Sequence, residues 1–266
     1  MPSKPRLGQN FLVDARAVER IVAALGDLSA RTVAEIGPGS GAITGALAAR
    51  AGRVVAVELD RELAAQLRAR LAAERVTVVE QDVLQFDFAH AQTEFCPPGE
   101  RLRVVGNLPY YITSPILLKL AESHAALDLA VLMVQREVAD RIVAAPGSRD
   151  YGLLSVTVQM YGPAEPLFTL PPAAFSPPPE VHSTVFRWRF APRFAELGVE
   201  PTGFLRFVRQ AFAQKRKTLA NNLRAAGIEQ ARSAAAMERA GVDARARAES
   251  LSIESLAALG RELQAG

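Results

Sequence analysis

The chain of 266 residues carries 31 Lys/Arg against 28 Asp/Glu, a net charge of +3, with 49% hydrophobic and 22% charged residues. Those proportions are ordinary for globular proteins and exclude disorder as a description of the whole, and at roughly 150 residues per domain the length allows one large domain or two modest ones. No run nears the roughly 18 uninterrupted apolar residues of a spanning helix, the N-terminal stretch has no apolar signal core, and Cys96 stands alone with no Cys/His set at metal-ligand spacing, so a soluble, cytoplasmic protein without membrane or metal is expected.

In chain order, apolar runs at 32–36, 54–58, 76–80, 102–106 and 130–134 read as strands. Helical patterns separate them at 43–51, 60–73 and 114–122, and another follows at 136–145. Continuous apolar strands alternating with helices predict a parallel α/β sheet covered on both faces. Residues 152–159 fit helix or strand equally well by period. The three prolines of 175–182 demand a rigid loop, and 183–190 alternates like a final strand. From about Phe204 onward the pattern is helical, punctuated by Gly227 and Gly241, which places a domain boundary near 190–200.

The charge is unevenly spread. Residues 1–190 hold 19 basic and 20 acidic side chains, whereas 191–266 hold 12 and 8. The surplus peaks at Lys215, Arg216 and Lys217, with a smaller basic stretch at Lys4 and Arg6. Placed on a helix, the three consecutive residues would fan about 100° apart, an arrangement suited to a phosphate backbone. A solvated helix face is the plainer alternative.

Glu35-Ile-Gly37-Pro-Gly39-Ser-Gly41 closes the first strand and opens the first helix. Glycines there let backbone approach a ligand, and the spacing of Gly37, Gly39 and Ala42 also fits a dinucleotide fingerprint. Glu58, at the end of the second strand, can accept from a ribose diol, a group that NAD and S-adenosylmethionine share. Asp82 ends the third strand, where it can meet an adenine amine while Val83 covers the ring. A cleft rimmed by Glu35, Glu58 and Asp82 suits a cationic sulfonium better than a pyrophosphate, which favours a methyl donor over a dinucleotide.

Gly106-Asn107-Leu108-Pro109-Tyr110-Tyr111 follows the fourth strand. An amide at a strand end, stiffened by proline, fits methylation of an exocyclic amine. Bonds from N6–H to the Asn107 side-chain oxygen and the Leu108 carbonyl would favour a pyramidal nitrogen, and Tyr110 would stack on the base. No strong base is needed, because the methylated cationic nitrogen loses its proton readily.

At this point the chain resembles the small-subunit ribosomal RNA adenine N6,N6-dimethyltransferase family. Gly8-Gln-Asn-Phe-Leu12, Glu35-Ile-Gly-Pro-Gly39, Glu58-Leu-Asp60, Gln81-Asp82, Asn107-Leu-Pro-Tyr110, Gln135-Arg-Glu-Val-Ala139, Phe175-Ser-Pro-Pro-Pro179 and Gln214-Lys-Arg-Lys-Thr-Leu-Ala-Asn-Asn-Leu223 are similar to its motifs, in order. Glu180 and His182 stand where the family commonly has a basic residue and an Asp. The resemblance implies a Rossmann-like S-adenosylmethionine-dependent domain over 1–195 and a helical rRNA-binding domain over 196–266. It implies that Asn10, Leu12, Gly37, Glu58, Asp82, Val83 and Asn107 hold the donor. Asn107, Leu108 and Tyr110 would serve catalysis, with Phe175 sandwiching the base opposite Tyr110. The implied partners are small-subunit rRNA and the immature small ribosomal subunit, met by a monomer. Three other readings compete: a large-subunit rRNA adenine methyltransferase of the antibiotic-resistance kind, an assembly factor acting mainly by binding, and a nicotinamide-dependent oxidoreductase. The last is disfavoured by the lack of a proton donor beside the glycine loop.

Overall fold

The computed structural model describes residues 10–71 and 75–265, so Lys4, Arg6, Gly8 and Gln9 lie outside the described residues. The strands are β1 (Phe11–Leu12), β2 (Thr32–Ile36), β3 (Arg53–Glu58), β4 (Val76–Glu80), β5 (Leu102–Asn107), β6 (Leu127–Gln135), β7 (Ala164–Leu170), β8 (Phe175–Ser176) and β9 (Ser183–Arg189). The helices are α1 (Ala15–Ala24), α2 (Ala42–Ala48), α3 (Arg61–Arg70), α4 (Phe88–Phe95), α5 (Thr113–Glu122), α6 (Arg136–Ile142), α7 (Leu153–Met160), α8 (Pro201–Ala211), α9 (Leu219–Ala225), α10 (Gln230–Arg239) and α11 (Ile253–Ala265). Among the described residues no helix is long and apolar enough to cross a membrane.

Seven strands form one sheet in the order β4-β3-β2-β5-β6-β9-β7, and β1 pairs separately with β8. The pairings among β4, β3, β2, β5 and β6 are parallel. β2 is buried at every position and β3 at all but its first, as strands covered on both faces must be. The last two strands add an antiparallel edge, β9 beside β6 and β7 beside β9. β7 was not foreseen because Pro166 interrupts its pattern. On an edge the missing N–H is harmless, and the register shifts between Pro166 and Phe168. The chain runs outward from β2 through β3 to β4, then returns to begin β5 on the other side of β2. This reversal is the topological switch point, where open α/β sheets leave a crevice beyond the carboxyl ends of their strands.

The contacts divide the chain into two compact units, residues 1–139 with 164–190, and residues 140–163 with 191–266. The second unit therefore takes in α7, a helix formed by a segment whose period fitted strand as well. Its Gln159 Nε2 donates to the carbonyls of Ile142 and Ala144, both at 3.0 Å. Tyr151 meets the Phe212 ring edge-on at 6.1 Å, and Tyr161 meets Phe194 at 5.1 Å. Apolar side chains, Val156, Val158 and Met160 among them, thus find their cover on helices far along the chain.

Lys215, Arg216 and Lys217 are not on a helix. They occupy the turn between α8 and α9. Buried Asn222 reaches back to donate through Nδ2 to Ala211 O at 2.7 Å and Gln214 O at 3.2 Å, taking up carbonyls that a continuing helix would need. Thr218 then caps α9 by accepting from Asn221 N. The helical period continues through the turn, but these side-chain bonds interrupt the backbone ladder.

Candidate active site

The crevice at the switch point is a cleft open to solvent and walled wholly by the first unit. Four successive strand ends build its floor. β2 contributes Glu35 and the glycine loop, β3 contributes Glu58, the turn after β4 contributes Asp82 and Val83, and β5 ends on Asn107. Asn10, Leu12, Leu108 and Tyr110 complete the wall, and Leu59 and Tyr111 line it too, both with exposed side chains.

The loop needs its glycines. Gly37 has φ +63° and Gly39 φ +54°, left-handed values that other residues adopt only under strain. A Cβ on Gly39 would sit 2.8 Å from the Phe11 ring. The loop is held by Gly37 N donating to Val57 O at 3.0 Å and by Gly39 N donating to Glu58 Oε2 at 2.9 Å. Glu58 Oε1 accepts from Asp60 N at 3.0 Å. The carboxylate foreseen as a ribose ligand is thus also a clasp between the glycine loop and the start of α3. Each of its oxygens keeps a lone pair for a further donor. Asp82 Oδ1 accepts from Leu84 N at 2.9 Å, which orients the carboxylate and leaves Oδ2 for a ligand.

Glu35 is 2% exposed, and its Oε2 has no hydrogen-bond partner. Burial pushes its carboxyl up to about 7, with Thr44 opposing the rise and the Glu58 carboxylate adding to it. The Thr44 hydroxyl, also buried, is the polar side chain that opposes the rise.

Asn107 is half-buried, and its Nδ2 donates to Asn10 O at 2.8 Å. That bond sets the amide's orientation, with the nitrogen turned to the N-terminal segment and Oδ1 available to a substrate. Leu108 is 1% exposed and donates its N–H to Met133 O, so the backbone after Asn107 is pinned to β6. The Tyr110 hydroxyl meets Ser183 Oγ at 2.8 Å. Ser183 is fully buried at the start of β9, and no sequence signal marks it as a support for Tyr110. Nor could the pattern indicate that the Asn10 backbone would orient Asn107. That contact depends on tertiary folding between distant segments.

Phe175 is the exception among the foreseen site residues. β8 pairs antiparallel with β1 so that Phe175 faces Leu12, and the ring, 3% exposed, belongs to an apolar cluster with Val18, Leu170 and Val185. It does not line the cleft. The proline loop places it at the strand pairing, where burying an aromatic face outweighs exposing it to the cavity. Among the described residues no group of His, Cys, Asp and Glu is arranged to hold a metal ion.

Comparison with known proteins gives this geometry a family. The chain is 63% identical to ribosomal RNA small subunit methyltransferase A of Acidobacterium capsulatum, over 98% of this chain and 91% of that protein. It is 52% identical to the protein of the same name from Koribacter versatilis, over 99% of this chain and 95% of that one. Among solved structures, a dimethyladenosine transferase from Plasmodium falciparum has the same fold, with a TM-score of 0.79 over 94% of this chain and 95% of that chain at 21% identity. The 23S rRNA methyltransferase ErmE superposes with a TM-score of 0.69 over 96% of this chain and all of that one, at 28% identity. The sequence profile of the ribosomal RNA adenine dimethylases matches residues 2–265, so that the chain, nearly end to end, belongs to the ribosomal RNA adenine dimethylase family.

Proposed function

We propose that this protein transfers methyl groups from S-adenosylmethionine to N6 of two adjacent adenosines in the 3′-terminal hairpin of small-subunit rRNA, giving N6,N6-dimethyladenosines during ribosome biogenesis. It acts as a cytoplasmic monomer on the immature small subunit. The observation that carries this reading is the Asn107 amide on the floor of a cleft that also holds three acids, with its Nδ2 bonded to Asn10 O and its Oδ1 without a partner among the described residues. High identity to relatives named for the small subunit, against 28% to a protein named for 23S rRNA, supports the small-subunit target over the large-subunit alternative.

The cleft fits the donor. Its floor has an unpartnered Glu35 oxygen and a second acid in Glu58, and a Cβ on Gly37 would project into open space rather than into protein. Glu58 takes the ribose hydroxyls with its remaining lone pairs. Asp82 takes the adenine amine, while Val83 covers the ring. Asn10, Leu12 and Gly37 close the rest of the donor site. When bound, the donor supplies an electrophilic methyl group on sulfur.

Asn107 Oδ1 and the Leu108 carbonyl accept the two N6–H bonds of a target adenine. Both acceptors are preset by the backbone, so little reorganisation accompanies the change of that nitrogen toward a pyramid. Tyr110, tethered to Ser183, offers a fixed face for the base. As the new N–C bond forms and the C–S bond breaks, the nitrogen becomes cationic and sheds its proton to water. No side-chain base is required.

The deciding assay supplies S-adenosylmethionine with immature small subunits, naked small-subunit rRNA and large-subunit rRNA, and maps the modified nucleotides. Dimethylation at two adjacent adenosines of the small-subunit hairpin is expected. Methylation confined to large-subunit rRNA would overturn the reading.

The basic turn of the second unit serves docking. Lys215 Nζ donates to Arg149 O at 2.9 Å, which shapes the turn from within the same unit. Changing Lys215, Arg216 and Lys217 together to Ala is expected to weaken binding to the small subunit and flatten its salt dependence. Affinity for S-adenosylmethionine should stay within about twofold, since the donor cleft is lined by residues of the first unit alone and shares none with the turn. An unchanged salt slope, read by titration at several salt concentrations, would reduce the cluster to a solvated surface.

A further inference from the structure

Glu35 is an unusual component of a β-strand. It sits in the centre of the sheet, opposite Ala56 of β3 and Val105 of β5, with its carboxyl at the floor of the cleft. A buried carboxylate needs several hydrogen bonds or a cation to replace lost hydration. Glu35 has only part of that compensation: Thr44 favours the charged form, but Oε2 has no hydrogen-bond partner among the described residues. The groups facing it are few. Glu58 on β3 brings like charge, α2 presents the Thr44 hydroxyl, and β5 opposes it with apolar Val105. Asp82 lines the same cavity, adding a further acid. No cation on the described residues faces it, so burial beside like charge keeps a large share of the neutral acid near neutral pH.

We infer that Glu35 is a positioning residue that is protonated in part of the free protein near neutral pH and releases that proton to solvent when the cationic methyl donor enters, so that donor binding and deprotonation are linked. The inference rests on reading the cleft as the site of S-adenosylmethionine. A positive charge brought into this water-poor floor stabilises the carboxylate that the empty protein could not support. The carboxylate in turn holds the donor against the floor. The other two acids differ from Glu35 in accepting backbone N–H bonds, Glu58 from Gly39 and Asp60 and Asp82 from Leu84.

The sign of the linkage follows. Because the free protein holds Glu35 near 7, binding of the donor should strengthen as pH rises and weaken as pH falls below it. With full ionisation in the complex, affinity should gain about tenfold between roughly pH 6 and pH 8, and about half a proton should be released per donor bound near pH 7.

The experiment is calorimetric titration of the full chain with S-adenosylmethionine, without RNA, in two buffers of different ionisation enthalpy and across that pH range. Glu35→Gln, which preserves shape and fixes the neutral state, is titrated alongside. Protons that the donor's own groups exchange appear in both proteins, so the difference counts Glu35 alone. The expected result is a proton release and a pH slope larger in the parent than in the variant by the Glu35 contribution, with the variant binding more weakly at high pH. Equal proton counts in the two proteins, or binding by the parent that is independent of pH, would overturn the inference. Should Glu35→Gln fail to fold, Glu35→Ala, which also removes the titrating group, takes its place in the same comparison. If S-adenosylmethionine binds at no pH, the donor reading itself fails, and that outcome is distinct from binding without proton release.

Discussion

Asn107→Ala is expected to lower methyl transfer at saturating substrate by about 10²- to 10³-fold, the usual cost of removing one preorganised partner of a transition state. RNA affinity should change far less, because the bond to N6 gains most of its value as the nitrogen pyramidalises. The structure sharpens the test through the bond from Asn107 Nδ2 to Asn10 O. Asn107→Asp retains an acceptor, but it sets a carboxylate oxygen against that carbonyl and loses the donor that holds the side chain in place. It should therefore also be impaired, whereas a role in hydrogen bonding to N6 alone would let it work. Single-turnover rates, RNA affinity and donor affinity measured on both variants separate these cases. Equal losses in RNA affinity and in rate would argue against a specifically catalytic Asn107.

For Glu58→Ala the expected result has two parts. Affinity for S-adenosylmethionine should fall at least tenfold, because the ribose hydroxyls lose their acceptor, and charge-assisted bonds of this kind contribute about 1.5–3 kcal/mol. The free protein should also lose stability, by about 1–3 kcal/mol, since Gly39 N and Asp60 N are both left without the partner they have in the folded chain. Glu58→Gln should recover only part of either effect. Its amide nitrogen must face one of the two N–H groups, donor against donor. Thermal unfolding and calorimetric titration check the two parts separately. Donor affinity within twofold of the parent would remove Glu58 from the ligand site and leave it as the clasp of the glycine loop.

Much of this molecule follows from local chemistry. Strand β2 occupies the range its apolar run predicts, because a fully covered strand reads as an unbroken apolar stretch whatever lies beside it, and β4 also fills its predicted range although this edge strand is only partly buried. The acids at the ends of β2 and β3, the acid after β4 and the amide at the end of β5 could be recognised as a site for the same reason. In an open α/β sheet, position at the carboxyl end of a strand is already position at the crevice. Other features were decided only when distant segments met. Phe175 stands at the head of a proline-rich segment that reads as a rigid loop, and pairing of β8 with β1 places its ring among buried apolar side chains. The run Lys215, Arg216 and Lys217 has the period of a helix, and buried Asn222 makes it a turn. Residues 140–163 lie between parts of the first unit in sequence and pack with residues 191–266, since α7 buries its apolar side chains there. Sequence determined which residues are apolar, which are charged and which strand each one ends. Only the tertiary structure decided which apolar surfaces cover one another, and with them that Glu35 would be buried without a counter-charge, because burial is a property of the neighbours and not of the residue.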